Sequence, residues 1–142
     1  MARIGLLEDN IRIAKLSATM LNYSGHDVTI YSDAYECLQS LAVIDAYGQL
    51  MPFMQTVSSV SMLPIDVLIL DLHLPTMTGL EALRLLMTHP RTYGLPLVFC
   101  TAATMSEING AFALAPQAML VEKPFKLQSL ISAISTVLPA SV

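Results

Sequence analysis

Five side chains in this sequence could do chemistry together: Glu8, Asp9, Asp71, Thr101 and Lys123. Each stands just past a short run of bulky apolar residues. Glu8-Asp9 closes Arg3-Ile4-Gly5-Leu6-Leu7, Asp71 closes Val67-Leu68-Ile69-Leu70, and Thr101 closes Leu97-Val98-Phe99-Cys100. Lys123 follows Ala118-Met119-Leu120-Val121 and Glu122. Such runs read as strands buried on both faces, and in open α/β sheets chemistry sits outside the carboxyl ends of the strands. Taken singly, Asp71 is equally a turn cap, whereas Thr101 as a plain helix-entry residue and Lys123 as a mere surface lysine are the lesser readings. Converging on one sheet edge, they form a site. Three carboxylates brought close repel one another, and a divalent cation holds them ionised at neutral pH. Oxygen ligands without a His or Cys cluster point to Mg²⁺ rather than zinc. A lysine and a threonine hydroxyl beside that cation suit the oxygens of a phosphoryl group. A carboxylate can accept that group as an acyl phosphate, and Asp71, at the centre, is the natural acceptor.

The elements that must position these residues follow from the spacing of apolar side chains. A strand over 3–7 leads through Asn10, a helix cap, into a helix over 11–23 carrying Ile13, Leu16, Met20 and Leu21, with Gly25 as its stop. A strand over 28–31 precedes Ser32-Asp33, which caps a second helix with Ala34, Cys37, Leu38 and Leu41 on one face. After the third strand, Pro75 and Gly79 punctuate a loop before a helix over 80–88, stopped by Pro90. The fourth strand, over 95–100, carries Pro96 near its start. Thr104-Met105-Ser106-Glu107 has capping-box spacing and opens a helix reaching Leu114. A fifth strand over 118–121 and a helix over 127–137 complete the chain. That last helix sets Leu127, Leu130, Ile131, Ile134 and Leu138 against the nearly uncharged Gln128, Ser129, Ser132, Ser135 and Thr136. Five strands alternating with five helices predict an α/β fold with a doubly wound parallel sheet, in one domain over 1–142.

Composition bounds what the molecule can be. Of 142 residues, 54% are hydrophobic and only 13% charged, where about a quarter is usual. No apolar run reaches the roughly 18 residues of a membrane span, and the amino-terminal residues lack a signal-peptide plan. A net charge of −4 gives no electrostatic footprint for nucleic acid. Cys37 and Cys100, among apolar neighbours, read as free thiols in a reducing cytoplasm. Between Asp45 and Asp66 there is no charge, while Leu50, Met51, Phe53, Met54, Val57, Val60 and Met62 mix with Pro52, Pro64 and serines. This insert at 45–65 reads as an extended second helix followed by a long loop. The competing reading is an apolar contact surface for a partner or for a second copy of the chain in a homodimer. His26, His73 and His89 all read as solvent-facing.

Glu8-Asp9, Asp71-x-x-x-Pro75-x-Met77-x-Gly79, Thr101-Ala102 and Lys123-Pro124-Phe125, in that order, resemble the receiver domain of two-component response regulators, the family of the chemotaxis regulator. The resemblance covers the whole chain except the insert. It implies a flavodoxin-like sheet of strand order 2-1-3-4-5, with the insert between helix 2 and strand 3. It implies phosphorylation of Asp71 by a histidine kinase or a histidine phosphotransfer protein, with Mg²⁺ held by Glu8, Asp9, Asp71 and the backbone carbonyl of His73. Thr101 would sense the phosphoryl group. Lys123, on a cis bond to Pro124, would pair with its charge, and the strand-four-to-helix-five face would be read by partners. Such a module catalyses only its own phosphorylation and dephosphorylation. The chain departs from the family at Leu120, where an aromatic residue usually stands three before the lysine. His73 and Ala103 occupy the positions that in the family tune access of water to the acyl phosphate. The alternative is a degenerate receiver that binds partners without phosphorylation. An aspartyl-phosphate phosphatase would want a second carboxylate where His73 stands. A flavin protein would need a phosphate loop where Glu8-Asp9 would repel phosphate.

Overall fold

Apolar runs separated by amphipathic segments long enough to cross back over a sheet leave few arrangements open to this chain. In a computed structural model, which describes residues 1–52 and 63–139, the strands are β1 (Arg3–Leu7), β2 (Asp27–Tyr31), β3 (Val67–Leu70), β4 (Leu97–Thr101) and β5 (Met119–Glu122). All pair in parallel, in the order β2-β1-β3-β4-β5. The helices are α1 (Ile11–Tyr23), α2 (Ala34–Ser40), α3 (Gly79–Thr88), α4 (Met105–Leu114) and α5 (Leu127–Val137). This is the doubly wound, flavodoxin-like architecture.

The pleat sends alternate residues to opposite faces, and both faces are apolar. Leu7, Leu68, Leu70, Leu97 and Phe99 pack with α2, α3 and α4. Ile4, Leu6, Val67, Ile69, Val98 and Cys100 pack with α1 and α5. Side-chain caps fix where four helices begin. Asn10 accepts from the Arg12 and Ile13 amides, Asp33 from Glu36, Thr78 from Glu81, and Thr104 forms a full capping box with Glu107.

Several expectations are corrected. On α1 the buried stripe is Ala14, Ser17, Ala18 and Leu21, an i, i+3, i+4, i+7 set of mostly small residues, while Leu16 is 61% exposed. The second helix is not extended. It ends at Ser40, because Ala42 turns into the left-handed region (φ 59°) and the Val43 amide folds back onto the Leu38 carbonyl. The chain then makes a small hairpin in which Ile44 bridges Leu50 and Asp45 Oδ1 accepts from the Tyr47 and Gln49 amides at 2.8 and 3.0 Å. Phe53, Met54, Val57, Val60 and Met62, part of the expected contact surface, lie outside the described residues. His26 is half-buried, its Nδ1 accepting from the Ala2 amide at 3.1 Å. His89 is buried rather than solvent-facing. Its Nδ1 accepts from the Arg91 amide and its Nε2 lies 3.1 Å from the Met51 carbonyl oxygen.

No described helix is long and apolar enough to cross a membrane.

Candidate functional site

Because every strand is parallel, the loops after β1, β3, β4 and β5 leave the sheet at one edge, and the residues ending those strands meet there. Asp71 directly follows β3, the central strand, whose four residues are all buried, and is itself only 6% exposed. Its amide donates to the Leu7 carbonyl at 3.2 Å, which carries the β1–β3 pairing one residue past the strand. The next residue of β1's own loop, Glu8, is equally sheltered, and Asp9 beside it is exposed. Glu8, Asp9 and Asp71 each place a carboxylate oxygen within 4.8 Å of the others.

Lys123, arriving from β5, lies between two of them. Its Nζ donates to Asp71 Oδ2 at 2.8 Å and to Glu8 Oε1. The remaining oxygens are also engaged. Asp71 Oδ1 accepts from the His73 amide at 3.0 Å, and Glu8 Oε2 accepts from the Asn10 amide at 3.1 Å. Burial pushes the Glu8 carboxyl above its ordinary range, partly offset by the hydrogen bonds from Lys123 and the Asn10 amide. Burial alone would lower the Lys123 ammonium, but hydrogen bonds to Asp71 and Glu8 outweigh it and hold the pKa above the ordinary value. The lysine therefore stays charged. The peptide bond from Lys123 to Pro124 is cis.

Thr101 ends β4 fully buried, and its Oγ1 accepts from the Ala103 amide at 3.1 Å. It shares the edge, yet among the described residues it makes no hydrogen bond to Asp71. The Lys123 amide donates to the Thr101 carbonyl at 3.0 Å, locking the β5 exit to the β4 exit. His73 is exposed, as expected, with its ring turned to Glu107 on α4.

The donor set fits a hard cation. It is all oxygen, each carboxylate retains lone pairs beyond those in use, and Asp9 faces solvent. The nearby thiol of Cys100 is pushed up to about 12 by burial and stays protonated, so it offers no competing thiolate. Two contributors were not visible as such in the sequence. Glu107 reads as a helix-capping residue, and nothing in its spacing announces a partner 34 residues away. Gly79 reads as a turn signal, but its role is spatial. A Cβ there would sit 2.3 Å from Leu72 Cα and 2.8 Å from the Asp71 carbonyl oxygen, so only glycine lets α3 start this close to the loop after β3.

A family model described as the response regulator receiver domain matches residues 4–135. No curated protein matches the chain. Among solved structures it is similar to the Vibrio cholerae chemotaxis protein CheY4, with TM-score 0.75 and 22% identity over 97% of this chain and 99% of that one. It is also similar to the receiver domain of the Francisella response regulator 1452 (TM-score 0.69, 20% identity, 96% of each chain). A third is the CheY-like receiver domain protein from Methanospirillum hungatei JF-1 (TM-score 0.72, 19% identity, 95% of this chain and 91% of that one). At these identities the structural likeness speaks for the fold alone.

Proposed function

The chain belongs to the response regulator receiver family, and from that premise we propose that Asp71 is its phosphoacceptor in a two-component relay. The observation that carries the reading is the Lys123 ammonium held 2.8 Å from Asp71 Oδ2 and hydrogen-bonded to Glu8, with Asp9 alongside. An Asp71 carboxylate oxygen attacks the phosphorus of a phosphohistidine on a histidine kinase or histidine phosphotransfer protein. The P–N bond breaks, the O–P bond forms, and the released imidazole nitrogen takes up a proton. Mg²⁺, when held by Glu8, Asp9, Asp71 and the His73 carbonyl, supplies charge neutralisation on the transferring group.

The chain's own residues do the remainder. The His73 amide and Lys123 hold the two oxygens of Asp71 in fixed directions, which supplies positioning before transfer. Lys123 then pairs with the new phosphoryl oxygens, and Thr101 turns its hydroxyl from Ala103 towards them. Water then hydrolyses the acyl phosphate and resets the module, so the chain catalyses its own phosphorylation and dephosphorylation and nothing else. Partners read the change on the face running from β4 to α5. Such a relay operates in the cytoplasm.

Incubation with Mg²⁺ and a small-molecule acyl phosphate, followed by intact mass, tests the reading. The parent chain gains one phosphoryl group and Asp71→Asn gains none. No gain under any donor condition leaves a degenerate receiver that binds partners without phosphorylation.

A further inference from the structure

The loop after β3 and the first turn of α4 are joined side chain to side chain. His73 Nε2 lies 3.1 Å from Glu107 Oε1 and 3.0 Å from Oε2. A carboxylate only accepts, so Nε2 carries the hydrogen. Glu107 is itself held, since its Oε1 accepts from the Thr104 hydroxyl at 3.0 Å and from the Thr104 amide at 3.4 Å. At the other end, the His73 amide donates to Asp71 Oδ1. An unbroken path therefore runs from the Asp71 carboxylate through the His73 backbone and imidazole to Glu107 and the start of α4. The half-buried Leu120, on β5, offers no polar group of its own to such a path.

We propose that Glu107 is a positioning residue for Asp71, acting through His73, and that this link couples the acceptor to α4. The proposal rests on Asp71 being the acceptor. With the imidazole tied to α4, the His73 amide keeps its aim at Asp71 Oδ1. Conversely, any change at that oxygen is felt at the α4 first turn, since coupling between two sites is reciprocal. Without the tie, His73 is an exposed loop residue whose backbone wanders, and the Asp71 carboxylate loses one of its two fixed donors, the one on Oδ1.

Amide hydrogen exchange on the full chain reads the link without any phosphoryl chemistry. His73→Ala keeps an amide at position 73 and leaves the Thr104–Glu107 capping box intact, yet speeds exchange over 105–108 about threefold or more; Glu107→Ala does the same over 72–74. Thr104→Ala removes the hydroxyl but leaves the residue 104 amide on Glu107 Oε1 and the His73–Glu107 bond in place, so it speeds 105–108 and leaves 72–74 unchanged. With Mg²⁺ and an acyl phosphate donor, His73→Ala and Glu107→Ala each take up the phosphoryl group about three- to tenfold more slowly, as loss of positioning predicts. Thr104→Ala keeps the parent rate. The double variant His73→Ala/Glu107→Ala is no slower than the slower single variant, because both remove one link.

Unchanged exchange over 105–108 in His73→Ala overturns the proposal, as do slowdowns that multiply in the double variant. Should Glu107→Ala fail to fold, His73→Ala decides alone. A parent chain that takes no phosphoryl group defeats the assignment of Asp71, whereas the exchange measurement judges the link separately.

Discussion

Lys123 is the counter-charge of two carboxylates that share a nearly dry pocket, and its loss leaves them facing each other. Removing one partner of a buried ion pair costs about 3–5 kcal/mol when the site is dry. The Lys123 side chain is 16% exposed, so water enters the space it vacates. Lys123→Ala should therefore destabilise the fold by on the order of 2 kcal/mol, read as a lower urea midpoint. Saturating Mg²⁺ should narrow the gap between variant and parent, because the cation takes over the same neutralisation. Gly79→Ala acts by volume instead. Its methyl group would collide with the backbone of Leu72 and Asp71, which cannot rotate away as a side chain can. Overpacking of this kind costs about 1–3 kcal/mol, and here it also displaces Asp71. The variant should lose stability and phosphoryl uptake together, by urea unfolding and intact mass. That the candidate site residues share one edge was legible because each ends an apolar run, and a parallel sheet brings those ends together. Glu107 was not, because its partner is set by how two loops fold and not by any local spacing.

Caps and terminal ion pairs set where the elements begin. The capping box at Thr104 and Glu107 could be read directly, since its chemistry is confined to one turn. The pairing of Arg3 with Asp66 could not, since it needs β1 and β3 to be neighbours. Asp66 Oδ1 accepts from Arg3 Nη2 at 2.9 Å, and Oδ2 accepts from the Arg3 amide at 2.8 Å, at the sheet edge opposite Asp71. The Arg3 guanidinium holds the Asp66 carboxyl below its ordinary value of 3.8. A carboxylate with a depressed folded pKa contributes stability above the unfolded value and loses it as pH falls through the folded one. The Arg3 side chain is 48% exposed and water reaches the pair from that side, so Asp66→Asn should cost only about 0.5–1 kcal/mol at pH 7. Denaturant unfolding against pH should show that difference intact above 3.8 and closing as the acid titrates Asp66 below it. Helix α2 failed as a sequence reading for an element-level reason. Ala42 adopts a left-handed backbone that sequence signals assign to glycine or asparagine, so nothing announced the stop.

At the scale of the molecule, alternating strand and helix patterns were enough for a parallel sheet, because helices crossing back over both sides bury both faces of such apolar strands, and five strands are too few to close a barrel of the eight-stranded kind. The order 2-1-3-4-5 came with the family likeness, since alternation alone leaves several windings open. The hairpin at 41–52 was not legible, and what holds its far end explains why. Met51, leaving the hairpin, accepts a hydrogen bond from a histidine 38 residues onward at the end of α3. His89 Nδ1 accepts from the Arg91 amide at 3.1 Å, so the ring hydrogen resides on Nε2 and points at the Met51 carbonyl. One buried ring thus shapes the α3–β4 turn and fastens the hairpin to it. A histidine beside a proline has the appearance of a loop residue until the hairpin covers it. His89→Ala removes both hydrogen bonds, leaves the Arg91 amide without its acceptor and opens a void. The expected cost is about 1–3 kcal/mol, seen as a lower urea midpoint with faster amide exchange over 43–51. Exchange at 67–71 should follow only the global loss of stability, because β3 is anchored from both faces of the sheet by side chains the substitution does not touch. If 43–51 exchanged no faster than in the parent, the hairpin would have to be held by its own turn, through Asp45, and not by α3.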